Sequence, residues 1–222
     1  MRVIVYNVKG FRAGASNVAD AVRDLRPDIA FITECGTARQ LRKFSSALGM
    51  SAHHGSLLPI ARRARNAILV REPLAVAREV AHLFGDPARL HPRGAFVAEV
   101  MVSHRRFAAI VVHLGLSGEE RLRHTTELVR LIGTLEPPVL IGGDLNERPE
   151  GQAAVGMGSV GADVWAHAGS GDGATFPAEE PAARIDYLFA SGDVDVDAAF
   201  VPREAVLKRV SDHLPLVADL AL

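Results

Sequence analysis

Apolar positions along the chain fall into two rhythms. Short runs rich in Val, Ile, Leu and Phe occupy residues 2–8, 29–33, 66–70, 74–80, 95–102, 107–112, 139–143, 184–189, 194–201 and 214–222. Each is of strand length and is bounded by Gly, Pro or polar residues, the pattern of buried β-strands. Elsewhere the spacing lengthens to three and four, which predicts helices. One covers residues 17–26, with Ser16 as cap, Val18, Ala21, Val22 and Leu25 on one face, and Pro27 as the stop. A second covers 37–48, closed by Gly49. The third is the strongest: Ser117-Gly118-Glu119-Glu120 forms a capping box, Leu122, Leu128, Val129, Leu131, Ile132 and Leu135 share a face, and Pro137-Pro138 ends it.

Turns divide the remaining runs. Glu72-Pro73 separates the strands at 66–70 and 74–80, residues 103–106 join 95–102 to 107–112 as a hairpin, and 184–189 with 194–201 read as the last hairpin. Residues 50–65, 82–92 and 147–183 lack a clear period and read as loops, the last with a short helix after Pro149. Periodicity supports a mixed α/β fold. The first strand, helix and second strand make a crossover that brings the two strand ends together, so Asn7 and Glu34 can lie side by side.

The polar exceptions to this pattern carry the candidate chemistry. Val139-Leu140-Ile141-Gly142-Gly143-Asp144-Leu145-Asn146 is a buried strand that presents Asp144 and Asn146 at its tip, with two glycines that admit a close neighbour. Asn7, Glu34, His113, Asp186, Asp212 and His213 likewise stand where strands end or begin. Carboxylates and an amide are hard oxygen ligands suited to Mg²⁺, Mn²⁺ or Ca²⁺. Histidines beside them can move protons or hold phosphate oxygens near neutral pH. Structural alternatives stand next to these readings: Asn7 also suits capping of a strand end, Asp186 pairing with Arg184, His113 a satisfied core position, and His53 and His54 a solvated loop.

With 222 residues, 48% hydrophobic and 23% charged, the chain can bury a large core, and with no linker it reads as one domain. A net charge of -1 gives no global field to attract a polyanion, so any pull on phosphate is local, from Arg62, Arg63 and Arg65, from Arg105 and Arg106, or from a bound cation. The single Cys35 excludes an internal disulfide and a multi-cysteine metal site. No apolar stretch reaches transmembrane length and the N-terminus reads as a strand, so a cytoplasmic monomer is expected.

Seven segments, YNVKGFR at 6–12, ITECG at 32–36, RNAILVR at 65–71, VVHL at 111–114, GGDLNERP at 142–149, RIDYLF at 184–189 and SDHLPLVADL at 211–220, together resemble the endonuclease/exonuclease/phosphatase superfamily, in that family's order and over almost the whole chain. The resemblance implies a four-layer α/β sandwich, two mixed β-sheets packed face to face with helices outside. It implies Glu34 as principal ligand of Mg²⁺ or Mn²⁺, with Asn7 and Asp212 in or near the same shell. Asp144 and Asn146 would orient the attacking water and a phosphate oxygen. His213 would be general acid or base, its ring held by Asp186, and His113 would donate to the phosphoryl group. Lys9 stands where some relatives carry a carboxylate, which argues against a second metal there. The implied activity is metal-dependent hydrolysis of a phosphodiester by in-line water attack, with a nuclease acting on DNA or RNA as the leading subtype. A phosphomonoesterase or a lipid or inositol phosphate phosphodiesterase is the alternative, favoured by near-neutral charge and 5% aromatics, and an inactive binding protein of this fold is the third.

Overall fold

The computed structural model describes residues 1–55, 66–85, 92–192 and 194–221. Its strands form two six-stranded mixed sheets. The first comprises β1 (Arg2–Asn7), β2 (Ile29–Thr33), β3 (Ser51–His54), β4 (Ala67–Val70), β11 (Asp195–Phe200) and β12 (Leu216–Ala221), in the order β11-β12-β1-β2-β4-β3. The second comprises β5 (Ala75–Leu83), β6 (Gly94–Val102), β7 (Arg105–His113), β8 (Val139–Asp144), β9 (Ala162–Asp163) and β10 (Asp186–Ser191), in the order β5-β6-β7-β8-β10-β9. Among the described strands, only β1 with β2 and β7 with β8 pair in parallel.

The strand sequences explain the layering. Along β7, Phe107, Ala109 and Val111 join one buried cluster with first-sheet residues such as Val3, Val5 and Phe31, while Ala108, Ile110 and Val112 join a second cluster with Leu128 and Ile132. Successive side chains point to opposite faces, so a strand covered on both sides reads as an unbroken apolar run. The inner cluster lies between the sheets. The outer one is covered by α3 (Gly118–Ile132) and α4 (Gln152–Met157), which pack on each other. Helices α1 (Ala15–Val22), α2 (Ala38–Leu48) and α6 (Ala205–Val210) pack together over the first sheet, α1 touching both of the others. Short α5 (Val164–Ala168) contacts β10 and β11, one strand from each sheet. At Gly142 the sheets nearly touch: a Cβ there would lie 2.6 Å from Cγ of Phe31 on β2.

The expected helix at 37–48 is α2, with Thr37 capping it in a full capping box and Gly49 closing it at φ 64°. The Ser117 capping box is also formed. Several expectations fail for identifiable reasons. Ser16 caps nothing: α1 starts after Gly14, whose φ of 94° turns the chain in, and a separate 3-10 turn at Arg23–Leu25 precedes left-handed Arg26. Leu122 is 46% exposed on α3, whereas His124 and Thr125 are buried. Strands β10 and β11 are no hairpin, because the chain crosses between sheets after Gly192 and each strand pairs elsewhere. An apolar run does not announce its partner strand.

Two presumed loops carry structure. Residues 51–54 form edge strand β3, and 147–183 hold α4, β9 and α5. These short elements are tied by side chains: Glu147 accepts the Ala153 N–H at 2.6 Å, and Asp163 accepts the Trp165 N–H at 3.0 Å while pairing with Arg184 at 2.7 Å. Helix α6 was hidden in the stretch before Ser211. The basic residues Arg62, Arg63 and Arg65 lie outside the described residues.

Candidate active site

Topology alone gathers the polar strand tips. Strands β1 and β2 are parallel, so Asn7 stands opposite Thr33 and Glu34 follows directly. Strands β7 and β8 are also parallel, which sets His113 opposite Asp144, and antiparallel β10 begins with Asp186 on the other side of Asp144. Strand β12 runs antiparallel to β1, with Leu216 opposite Val5, so Asp212 and His213, just before it, return to the same end. Residues from both sheets therefore meet at one edge of the sandwich. The close sheet approach at Gly142, two residues before Asp144, lets their side chains touch.

Asn7 is the hinge of the arrangement. Its Nδ2 donates to Asp144 Oδ2 at 3.0 Å and to Glu34 Oε1 at 3.3 Å, while its Oδ1 accepts the Lys9 N–H at 3.0 Å. Asp144 keeps its other oxygen on the Asn146 N–H at 2.8 Å, and the Asn146 amide donates to the Leu114 carbonyl at 3.1 Å. His213 Nδ1 lies 2.8 Å from Asp186 Oδ2, which leaves Nε2 facing Asp144 Oδ2 at 3.8 Å. His113 Nε2 approaches the same Asp144 oxygen at 3.5 Å. Asp186 thus partners His213 and not Arg184, whose guanidinium goes to Asp163 and over the Tyr187 ring. Asp212 has its carboxylate on Lys9, with Oδ2 2.9 Å from Nζ.

Backbone strain marks the same place. Lys9 (φ 46°), Glu34 (φ 54°) and Asn146 (φ 52°) are half of the six non-glycine residues with positive φ among the described residues. A left-handed side-chain-bearing residue costs on the order of 1–3 kcal/mol, persists only where its surroundings hold it, and concentrates at functional sites.

Burial and charge give the two histidines opposite character. Burial alone disfavours the charged His213 ring, but Asp186, by charge and hydrogen bond, with help from Asp144 and Asp212, outweighs it and raises the pKa to about 9. Burial drives His113 down to about 3, against the pull of Asp144 and aided by Arg93 and His213. Near pH 7 the site therefore holds one imidazolium and one neutral imidazole.

Asp144, Asp186 and His213 each bring a ligand atom within 4.8 Å of the others. His213 Nδ1 and Asp186 are already engaged with each other, an arrangement suited to proton handling. The donor set that fits a hard dication is Glu34 and Asp144, two carboxylates converging on one amide.

Sequence reasoning passed over Arg93, Ser211 and Thr175. Arg93 Nη1 lies 2.7 Å from His113 Nδ1 and 2.5 Å from Nε2, and burial lowers the Arg93 pKa against the charges of Asp144 and Glu34. Ser211 Oγ donates to the Asn7 carbonyl at 2.7 Å and ties the SDH segment to β1. The hydroxyl of buried Thr175 accepts from the Asp186 N–H at 3.4 Å. The signal available for Arg93 was a lone arginine before a glycine at a strand start, which many surface turns share. The other basic candidates lie elsewhere. Arg105 and Arg106 begin the strand that His113 ends, eight residues or roughly 26 Å away, and Arg106 bonds Glu136. His53 pairs with Glu79 at 3.1 Å, on an edge strand.

An open cleft of about 920 Å³ adjoins the site, with Lys9 and Asp212 on its wall beside Arg12, Lys208 and Arg209.

A model of the Endonuclease/Exonuclease/phosphatase family matches residues 4–213. No curated protein matches the sequence. Among solved structures, the fold is similar to a functionally unknown conserved protein from Enterococcus faecalis at 20% identity and TM-score 0.88, covering 100% of this chain and 99% of that one. It is similar to a mannosyl-6-phosphatase of Bacteroides thetaiotaomicron at 17% identity and TM-score 0.84, covering 100% of both chains. It is also similar to D. rerio TDP2 complexed with single strand DNA product, at 17% identity and TM-score 0.75, covering 100% of this chain and 99% of that one. Identities this low speak for the fold alone. The family match spans both sheets and every strand tip of the site, and the chain belongs to the endonuclease/exonuclease/phosphatase family.

Proposed function

We propose that the chain, acting as one domain, is a divalent-metal-dependent phosphoric ester hydrolase working by in-line attack of water. The observation that carries this reading is the file Asp186, His213, Asp144, Asn7, Glu34, buried but for half-buried Glu34, in which each side chain faces the next at 2.8, 3.8, 3.0 and 3.3 Å. Family members hydrolyse phosphoric esters, and the file supplies the groups that chemistry needs.

Asp144 is the proton acceptor. Its Oδ1 is fixed by the Asn146 N–H, and the protonated His213 ring beside it has no lone pair with which to compete. His213, oriented by Asp186 through Nδ1, donates from Nε2 to the phosphoryl group as negative charge develops. Neutral His113 has the Arg93 guanidinium against both ring nitrogens, and the two side chains together offer donors to a phosphoryl oxygen. Asn146 has its side-chain amide on the Leu114 carbonyl, beside the Asp144 it fixes through its N–H. Glu34, which no lysine or arginine among the described residues pairs with, would hold a Mg²⁺ or Mn²⁺ ion, and the Asn7 amide nitrogen, donating to Glu34 and Asp144, orients the two carboxylates. Such an ion would supply charge neutralisation at the phosphate oxygens.

For substrate, we favour a small organic phosphoester. The net charge is -1, and the Arg105–Arg106 pair sits at the far end of its strand. A nuclease is the second reading, favoured by the cleft beyond Lys9, where Arg12, Lys208 and Arg209 can neutralise a flanking backbone phosphate. Assays in Mg²⁺ on a sugar phosphate, an aryl phosphodiester, an inositol phosphate, single-stranded DNA and RNA test both readings. Turnover of at least one, abolished by His213→Ala, is expected. Turnover unchanged in that variant contradicts the assignment.

A further inference from the structure

Three carboxylates stand near the reaction centre besides Asp144, and the structure treats them differently. Asp186 is engaged by His213. Glu34 shares the Asn7 amide with Asp144 and has no Lys or Arg ion pair among the described residues. Asp212 is the site carboxylate that such a cation already neutralises: Lys9 Nζ lies 2.9 Å from its Oδ2. Glu34 and Asp144 have no direct Lys or Arg ion pair among the described residues, Arg93 acting on both only through its charge.

An ion pair more than a third exposed would ordinarily count for little, because two long side chains must be immobilised to form it. Here both backbones are held beforehand. Lys9 is locked in a left-handed conformation at φ 46°, with its N–H on Asn7 Oδ1. The next residue, Gly10, donates its N–H to the Glu34 carbonyl at 2.8 Å, and its own carbonyl lies so close to Gly36 that a Cβ there would come within 2.9 Å. The turn that carries Lys9 is thus stapled to the segment that carries Glu34. On the other side, the Asp212 carbonyl accepts the Ala178 N–H at 2.7 Å, and its neighbours Ser211 and His213 are buried. The turn held at Lys9 thus delivers its ammonium group to Asp212.

We infer that Lys9 takes Asp212 out of the metal shell: the centre holds a single dication on Glu34, beside Asp144, and Asp212 is the counter-ion of a fixed lysine at the mouth of the adjoining cleft. The inference rests on the metal-dependent reading above and goes beyond it in assigning the stoichiometry and the role of Lys9. The lysine charge also stands where the cleft begins, so it faces whatever group of the substrate extends past the scissile phosphorus.

Binding of Mn²⁺ to the metal-free full chain decides this without any turnover, by calorimetry for affinity and by electron paramagnetic resonance for number. The wild type should bind one ion. Asp212→Asn should bind it within about twofold of the wild-type affinity, whereas Glu34→Gln should lose about tenfold or more. Lys9→Gln should tighten binding severalfold or admit a second ion, because it frees a carboxylate. The melting temperature of each variant confirms that it is folded. Two ions in the wild type, or a loss in Asp212→Asn as large as in Glu34→Gln, or an unchanged Lys9→Gln, overturns the inference while leaving the hydrolase reading intact. Absence of Mn²⁺ binding by the wild type at millimolar concentration removes the metal-dependent reading itself, and the inference with it.

Discussion

Replacing Asp186 by Asn keeps the shape of the side chain and removes the charge 2.8 Å from His213 Nδ1. In the metal-free protein His213 has its pKa raised to about 9 from an ordinary 6.5. A group with a raised folded-state pKa adds stability in full below its unfolded value, and that stability fades as pH rises through the folded value. The separation corresponds to roughly 3 kcal/mol at pH 6 and below, shrinking to nothing above about pH 9. Without the Asp186 charge, burial is opposed only by the more distant Asp144 and Asp212, and the ring pKa falls. His113 works in the other direction. Its pKa is lowered to about 3, so its contribution is present above pH 6.5 and fades as pH falls toward 3. Urea denaturation in chelator at a series of pH values should show wild-type stability declining on both sides of a maximum near the ordinary histidine pKa. Asp186→Asn should be less stable by on the order of 2–3 kcal/mol at pH 6 and should lose the alkaline decline. Equal stability at pH 6, or an alkaline limb identical to that of the wild type, would refute the account of His213.

Other consequences are direct. Gly142→Ala drives a Cβ to 2.6 Å from Phe31 Cγ, and separating the sheets there should destabilise the fold by about 1–3 kcal/mol in denaturant titration, with activity falling because Asp144 moves. Arg93→Ala should leave the melting temperature within a few degrees but cut kcat/KM for phosphoester hydrolysis by about 10- to 100-fold; full activity would show that the guanidinium serves only to pack His113. Ser117→Ala breaks the capping box of α3 and should cost about 1 kcal/mol with no change in turnover.

What could be read from the sequence follows from where the information sits. Strands β1, β2, β7 and β8 were readable because burial on both faces makes them continuous apolar runs, and α2 and α3 because their caps are local and chemically explicit. The tip residues Asn7, Glu34, His113, Asp144 and Asp186 stood out because polar side chains are costly in such surroundings unless paired. Their convergence is a property of topology: two parallel pairs in different sheets, and an antiparallel β12 that returns His213 to the tip of β1. Nothing local encodes that β10 and β11 part company, nor that Arg93 leans on His113, since both depend on partners far away in sequence. Within 147–183 the short helix expected after Pro149 is α4, whereas β9 and α5 escaped notice because a side-chain anchor, Asp163, holds them, not periodic burial.

The central claim is that Asp144 accepts a proton beside a charged His213 and a metal-bearing Glu34. Its most direct test is turnover of an aryl phosphodiester by purified wild type and Asp144→Asn, each in excess Mg²⁺ and in excess chelator. The account predicts hydrolysis by the wild type in Mg²⁺, none in chelator, and a loss of about 100- to 10,000-fold in the variant. Wild-type turnover in Asp144→Asn, or turnover indifferent to chelator, would contradict it.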